Sequence, residues 1–159
     1  MGSTHVFDCR LVWTGAAAGA IRDYDRYSRD YRVEIAGKPF LDGSAAAPFR
    51  GDGARHNPED LLVASLSACH FLTYAALAAR AGVEVRAYED AASGTMAFDR
   101  ARGVMAFREV LLRPCVTVAA GTDVALARSL HERAHHECFI ANSVNFPVRN
   151  EPTIVVDDR

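Results

Sequence analysis

The chain has 159 residues, room for one domain with a substantial core. Half of its residues are hydrophobic, 24% are charged and the formal net charge is -2, an ordinary globular balance. No Lys/Arg block supplies the basic footprint that nucleic acid requires, which speaks against that partner class.

The opening stretch, MGSTHVFDCRLVWTG, lacks the charged and apolar segments of an export signal. The cytoplasm is therefore the expected compartment. There, four cysteines are expected as reduced thiols rather than as a disulfide framework. From Thr4 to Gly15 the chain reads as a strand, with Val6, Leu11, Val12 and Trp13 as candidate core residues. A second strand, YRVEIAG, alternates polar and apolar residues and ends at Gly37-Lys38-Pro39. Residues 44–55 are loop-like, broken by Pro48, Gly51 and Gly53. Asn57 then caps a long helix, Pro58 suits its first turn, and Glu59 and Asp60 complement its dipole. Gly82 supplies the left-handed stop.

Between Leu61 and Ala79 this helix carries no formally charged side chain, and its length approaches the ~20 residues of a membrane span. Its alanines, serines, Thr73, Tyr74 and His70 make it only weakly apolar. It is expected to be a core helix, apolar all round and buried in protein, with no membrane partner. Strand character returns in residues 83–98 and 103–119, joined by a turn around Asp99 to Gly103. Thr122 or Asp123 caps a second helix to about Glu137, and residues 146–158 give a closing strand containing Ile154, Val155 and Val156. Segregated runs of strands and helices indicate an α+β fold in a single domain, residues 1–159.

Cys69 lies in the middle of the first helix and Cys138 at the end of the second. A cysteine in either place is commonly a small buried hydrophobe, and Cys9 and Cys115 are read that way. Glu59 precedes Cys69 by ten residues, ~15 Å along a straight helix and on a different side of it. A Glu59 that serves the site of Cys69 must therefore come from another chain; otherwise it is a capping carboxylate. His131 and His135 share a helical face with Cys138 nearby, a spacing zinc accepts, but no compact fourth ligand is apparent. His70 adjoins Cys69, yet neighbouring helical residues do not face each other, so the two are not a nucleophile and its base.

The segments NPEDLLVASLSACHFLTYAALA and LHERAHHECFIANSVNFPV resemble the OsmC/Ohr family of osmotically induced and organic-hydroperoxide-resistance proteins. The likeness extends through VWTG, YSRDYRVEI, GSAAAPFRGD and FPVRNEP, nearly the whole chain. It implies an OsmC-like α+β fold, with antiparallel sheets and a long buried central helix in an intertwined homodimer. It also implies a thiol-dependent peroxidase acting on hydroperoxides, without a cofactor or metal. By that resemblance Cys69 matches the peroxidatic cysteine, Cys138 the resolving cysteine and Glu59 the glutamate of the Asn-Pro-Glu motif. The activating arginine has two candidates: Arg29 in YSRD, matching one branch, and Arg50 in FRGD, matching the OsmC-like branch. Cys138-Phe139 stands where many members have Cys-Pro. A dithiol reductant of lipoyl or thioredoxin type would reset the pair. Two other readings compete: a protein that binds a hydrophobic ligand or senses redox state at the dimer interface, and a zinc-binding structural protein.

Overall fold

A computed structural model of the chain describes residues 4–158. Arg159 and the first three residues, which opened the reading for an export signal, lie outside the described part. Two compact units emerge from the contacts, one ending at Leu61 and one starting at Leu62.

The first unit is an antiparallel meander of β1 (Arg10–Trp13), β2 (Tyr31–Glu34) and β3 (Leu41–Gly43). Arg10 faces Glu34 and Arg32 faces Asp42 across the strands, each pair bridged at 2.7 Å. Opposite charges at such positions help set the register. Gly43 must lack a side chain, because the Tyr31 ring occupies the space a Cβ would need. Apart from Gly15, Gly43 and Ser44, nothing among the unit's described residues is buried.

The long helix α1 (Pro58–Arg80) starts in this unit and continues unbroken through the second. Asn57 caps it: its Oδ1 accepts the Asp60 N–H at 2.8 Å while its Nδ2 donates to the Asp60 carboxylate at 2.7 Å. At the other end Gly82 takes φ +72°, and the Val83 N–H closes onto the Ala78 carbonyl at 2.9 Å. This is the stop expected of glycine.

The second unit contains two three-stranded sheets. One orders β4 (Val85–Asp90), β7 (Pro114–Ala119) and β9 (Thr153–Asp157); the other orders β5 (Ser93–Asp99), β6 (Val104–Leu112) and β8 (Val148–Asn150). Helix α2 (Val124–Glu137) is capped by Asp123, whose side chain accepts the Leu126 N–H. Two cores result. Tyr74, Leu77 and Ala78 of α1 pack with Val116, Val118, Ala127, Leu130 and Ala134. Leu66, one turn before Cys69, packs instead with Val110, Leu112 and Val148. A fully buried leucine contributes about 1.5–3 kcal/mol. Cys69 sits where α1 passes from one core to the other.

Several sequence expectations need correction. The first strand is short, because only Arg10–Trp13 find partners on β2; Val6 and Leu11 are exposed, and so is Cys9, which precedes the strand. The Leu41–Gly43 strand escaped notice because Asp and Gly disfavour strands. The closing strand is two, split at Glu151-Pro152, and proline lacks the N–H that would carry one ladder through. These halves run parallel to β6 and β7, so both sheets of this unit are mixed rather than purely antiparallel. Finally, α1 is not buried all round. Leu66, His70, Tyr74, Leu77 and Ala78 form its buried stripe, whereas Ala64, Ala68, Phe71, Leu72 and Ala76 are exposed. By length and composition alone α1 could cross a membrane.

Candidate functional site

The two sulfurs that the sequence singles out come together within the second unit. Cys69 is delivered by α1, and Cys138 is the residue on which α2 ends, its backbone already extended at φ -70°, ψ 116°. Beyond it the chain folds back through a short 3-10 turn, Ala141–Ser143. Asn142 locks this return by donating its side-chain amide to the His136 and Cys138 carbonyls, both at 2.9 Å. The Ser143 hydroxyl adds a bond to the Phe139 carbonyl at 2.8 Å. The return aims two successive N–H groups at sulfur: Ile140 donates to Cys69 Sγ and Ala141 to Cys138 Sγ, each at 3.5 Å.

The two thiols differ in surroundings. Cys138 is 1% exposed. Burial pushes its thiol up to about 11, its hydrogen bond to Cys69 adds to the rise, and the Ala141 and Ile140 N–H groups oppose it. Cys138 is therefore a protonated thiol at neutral pH, set against the sulfur of Cys69. Cys69 is half-buried and opens on a groove of about 910 Å³, floored by Leu72, Thr73 and Ala76 of α1 and edged by Phe139 and Ile140. Arg80 lines its far end. At 100° per residue, Arg80 is eleven positions on and nearly eclipses Cys69 on the same helical face.

A buried histidine pair, which the sequence reading missed, backs the site. His70 Nε2 and His131 Nδ1 share a hydrogen bond at 3.0 Å, and the rings stack at 5.3 Å between centroids. Tyr74 stacks on His131 at 4.0 Å and its hydroxyl donates to the Ala127 carbonyl. Burial is the main cause that lowers His70 to about 4 and His131 to about 3. The sequence did carry a signal, since Leu66, His70, Tyr74 and Ala78 repeat every four residues along one face of α1. With His131 turned to His70, the zinc arrangement of His131, His135 and Cys138 is not formed. Among the described residues no three His, Cys, Asp or Glu side chains make a metal-holding group.

The other candidates lie in the first unit. Arg29 donates to the Tyr24 and Tyr27 carbonyls and lies over both rings, 5.2 and 4.2 Å from their centroids. Arg50, in the left-handed region at φ 65°, pairs with Asp25 and lies 5.3 Å from the same Tyr24 ring. Both arginines thus converge on Tyr24. Glu59 has one carboxylate oxygen buried without a hydrogen-bond partner. After burial itself, its charge is the second cause raising the pKa of Tyr31.

Residues 51–152 match the family model described as OsmC-like protein. Over 97 residues the chain is 29% identical to YmaD, an uncharacterized protein of Bacillus subtilis; the match spans 59% of this chain and 63% of that protein, less than two thirds of its length. A solved structure of an OsmC-like protein of unknown function from Vibrio cholerae superposes with a TM-score of 0.84 at 29% identity, covering 94% of this chain and 99% of that one. An organic hydroperoxide resistance protein from Elizabethkingia anophelis gives 0.71 at 18% identity, covering 99% and 100%. One from Legionella pneumophila gives 0.70 at 17%, covering 97% and 99%. At these lower identities the likeness is one of fold.

Proposed function

Because the chain belongs to the OsmC-like protein family, we propose that it is a cysteine-based peroxidase that reduces organic hydroperoxides. The observation that carries this reading is the contact between a groove-facing thiol, Cys69, and a buried, protonated one, Cys138. The two hydroperoxide resistance proteins of the same fold point in the same direction.

In this scheme the Cys69 thiolate attacks the terminal peroxide oxygen and the O–O bond breaks. The departing alkoxide takes a proton and leaves as ROH. Cys69 is then a sulfenic acid, a step on the thiol oxidation ladder that a second thiol can intercept. Cys138 attacks that sulfur, its proton leaves with the hydroxyl group as water, and a disulfide forms. A dithiol of lipoyl or thioredoxin type restores both thiols by exchange, which places the cycle in a reducing compartment such as the cytoplasm. The scheme uses no cofactor. Arg29 or Arg50 would steady the thiolate and the peroxide oxygens, and Glu59 would hold that arginine. We propose that residues 1–159 act as one domain; the likeness of 94% of the chain to the Vibrio cholerae structure supports this reading.

We also propose a homodimer in which Glu59 of one chain serves Cys69 of the other. An unbroken α1 keeps the two ~15 Å apart along its axis. Mixing reduced protein with cumene hydroperoxide and following peroxide loss tests the activity. Stoichiometric consumption with a Cys69–Cys138 bridge in the peptide map is expected. Intact peroxide beside unmodified Cys69 would favour the other reading that the apolar groove supports, binding of a hydrophobic ligand.

A further inference from the structure

On the reading that Cys69 is the attacking thiol, we propose that the backbone N–H of Ile140 holds its thiolate, so that the segment carrying the second sulfur also activates the first. The Ile140 N–H points at Cys69 Sγ from 3.5 Å. It stands ahead of the turn Ala141–Ser143, so the turn's own bonds do not need it. Asn142 and Ser143 hold the surrounding carbonyls at His136, Cys138 and Phe139. This donor is thus fixed in place before any charge develops, the arrangement that makes a dipole effective toward an ion. The neighbouring N–H of Ala141 goes to Cys138, on which the Ile140 N–H also acts, more weakly than that of Ala141, while burial keeps Cys138 a thiol. Cys69 Sγ thus lies between the Ile140 N–H on one side and the Cys138 sulfur on the other.

A free cysteine, with a pKa of ~8.5, is mostly protonated at neutral pH, and the thiolate is the nucleophile. A hydrogen bond to a charged acceptor is worth roughly a tenfold shift in that balance. The donor belongs to the backbone, so no side-chain pattern announces it; only proline removes it. Ile140 has φ -70°, already within the range of a proline ring, so the ring suits residue 140 itself, while the turn at Phe139 disfavours a following proline.

The test measures iodoacetamide modification of Cys69 by peptide mass in Ile140→Pro and Ile140→Ala, the second losing the side chain but keeping the N–H. At pH 7 the proline variant is expected to react about tenfold more slowly than the alanine variant. At about pH 10, where a thiol ionises without help, the two rates should converge. Equal rates at pH 7 overturn the proposal, and so does a slowing that is the same at both pH values, which would mean altered access. Should the proline variant not fold, the amide of Ile140 is followed by NMR in the unaltered chain as pH rises. A shift that tracks ionisation of Cys69 and vanishes in Cys69→Ser supports the bond, and an unmoved amide refutes it. Neither assay contains peroxide, so both remain decisive if the peroxidase reading fails.

Discussion

Cys69 and Cys138 touch, yet one lines a groove and the other is buried, and the proposed scheme gives them different fates. Cys69→Ser is expected to abolish peroxide reduction. Cys138→Ser should keep the first turnover and stop there, leaving a sulfenic acid on Cys69 that dimedone traps. Equal loss of first-turnover chemistry in both variants, measured by stopped flow, would mean that the roles are assigned wrongly. The histidines behind them make a second prediction. An imidazole in an unfolded chain titrates near ~6.5, whereas burial lowers His70 to about 4 and His131 to about 3. Asp90 opposes this at His70 while His135 adds to it, and His70 and Arg128 add to it at His131. Both rings are thus neutral in the fold. Stability is whole above pH ~6.5; as pH falls toward 4, the unfolded chain binds protons that the fold refuses. Each ring should then remove up to about 1.4 kcal/mol per pH unit. Urea midpoints at pH 7.5 and 5 should fall less steeply in His131→Gln than in the unaltered chain; identical slopes would sink the assignment.

Helix ends were legible in the sequence because capping is local chemistry. Asn57 and Gly82 follow from their own side chains and neighbours, while of Thr122 and Asp123, both open to the sequence, it is Asp123 that caps α2. Asn57→Ala should cost about 1 kcal/mol, and Gly82→Ala, forced to φ +72°, a similar amount or more. Thermal melts of the two variants check this, and an unchanged melt in Asn57→Ala would show that tertiary packing alone holds the first turn. Strand pairing was less legible because a partner lies far away in sequence. Nothing in Leu41-Asp42-Gly43 looks like a strand until Arg32 and Tyr31 stand opposite it. Parallel docking of β8 and β9 depends on β6 and β7, more than thirty residues upstream. The pairing of Cys69 with Cys138 was legible only through the resemblance of their two segments to a family, whereas the Ile140 N–H proposed to act on Cys69 was not, because every residue but proline has one. Leu11 was assigned to a core that its own short sheet does not build.

At the scale of the molecule, apolar surface is left over. The first unit buries no apolar side chain among its described residues, and α1 leaves Ala64, Ala68, Phe71, Leu72 and Ala76 uncovered. A second copy would cover such a face, and an obligate interface of this kind exceeds ~2,000 Å². Refolding a mixture of Cys69→Ser and Glu59→Ala chains should restore roughly one intact site per heterodimer, read as regained peroxidase activity; a fully active monomer in sedimentation would refute the arrangement. The contact between the sulfurs has one more consequence. A bond between Cys69 and Cys138 would close a covalent ring of about 70 residues, and in the chain-entropy account a ring of that size removes roughly 4 kcal/mol of freedom from the unfolded chain. The ring would enclose β4 to β7 and all of α2. Oxidised protein should therefore melt several degrees higher than reduced protein, and a dithiol should reverse the difference. Heat resistance would then record, molecule by molecule, which chains have spent their reducing equivalents and still await a reductant.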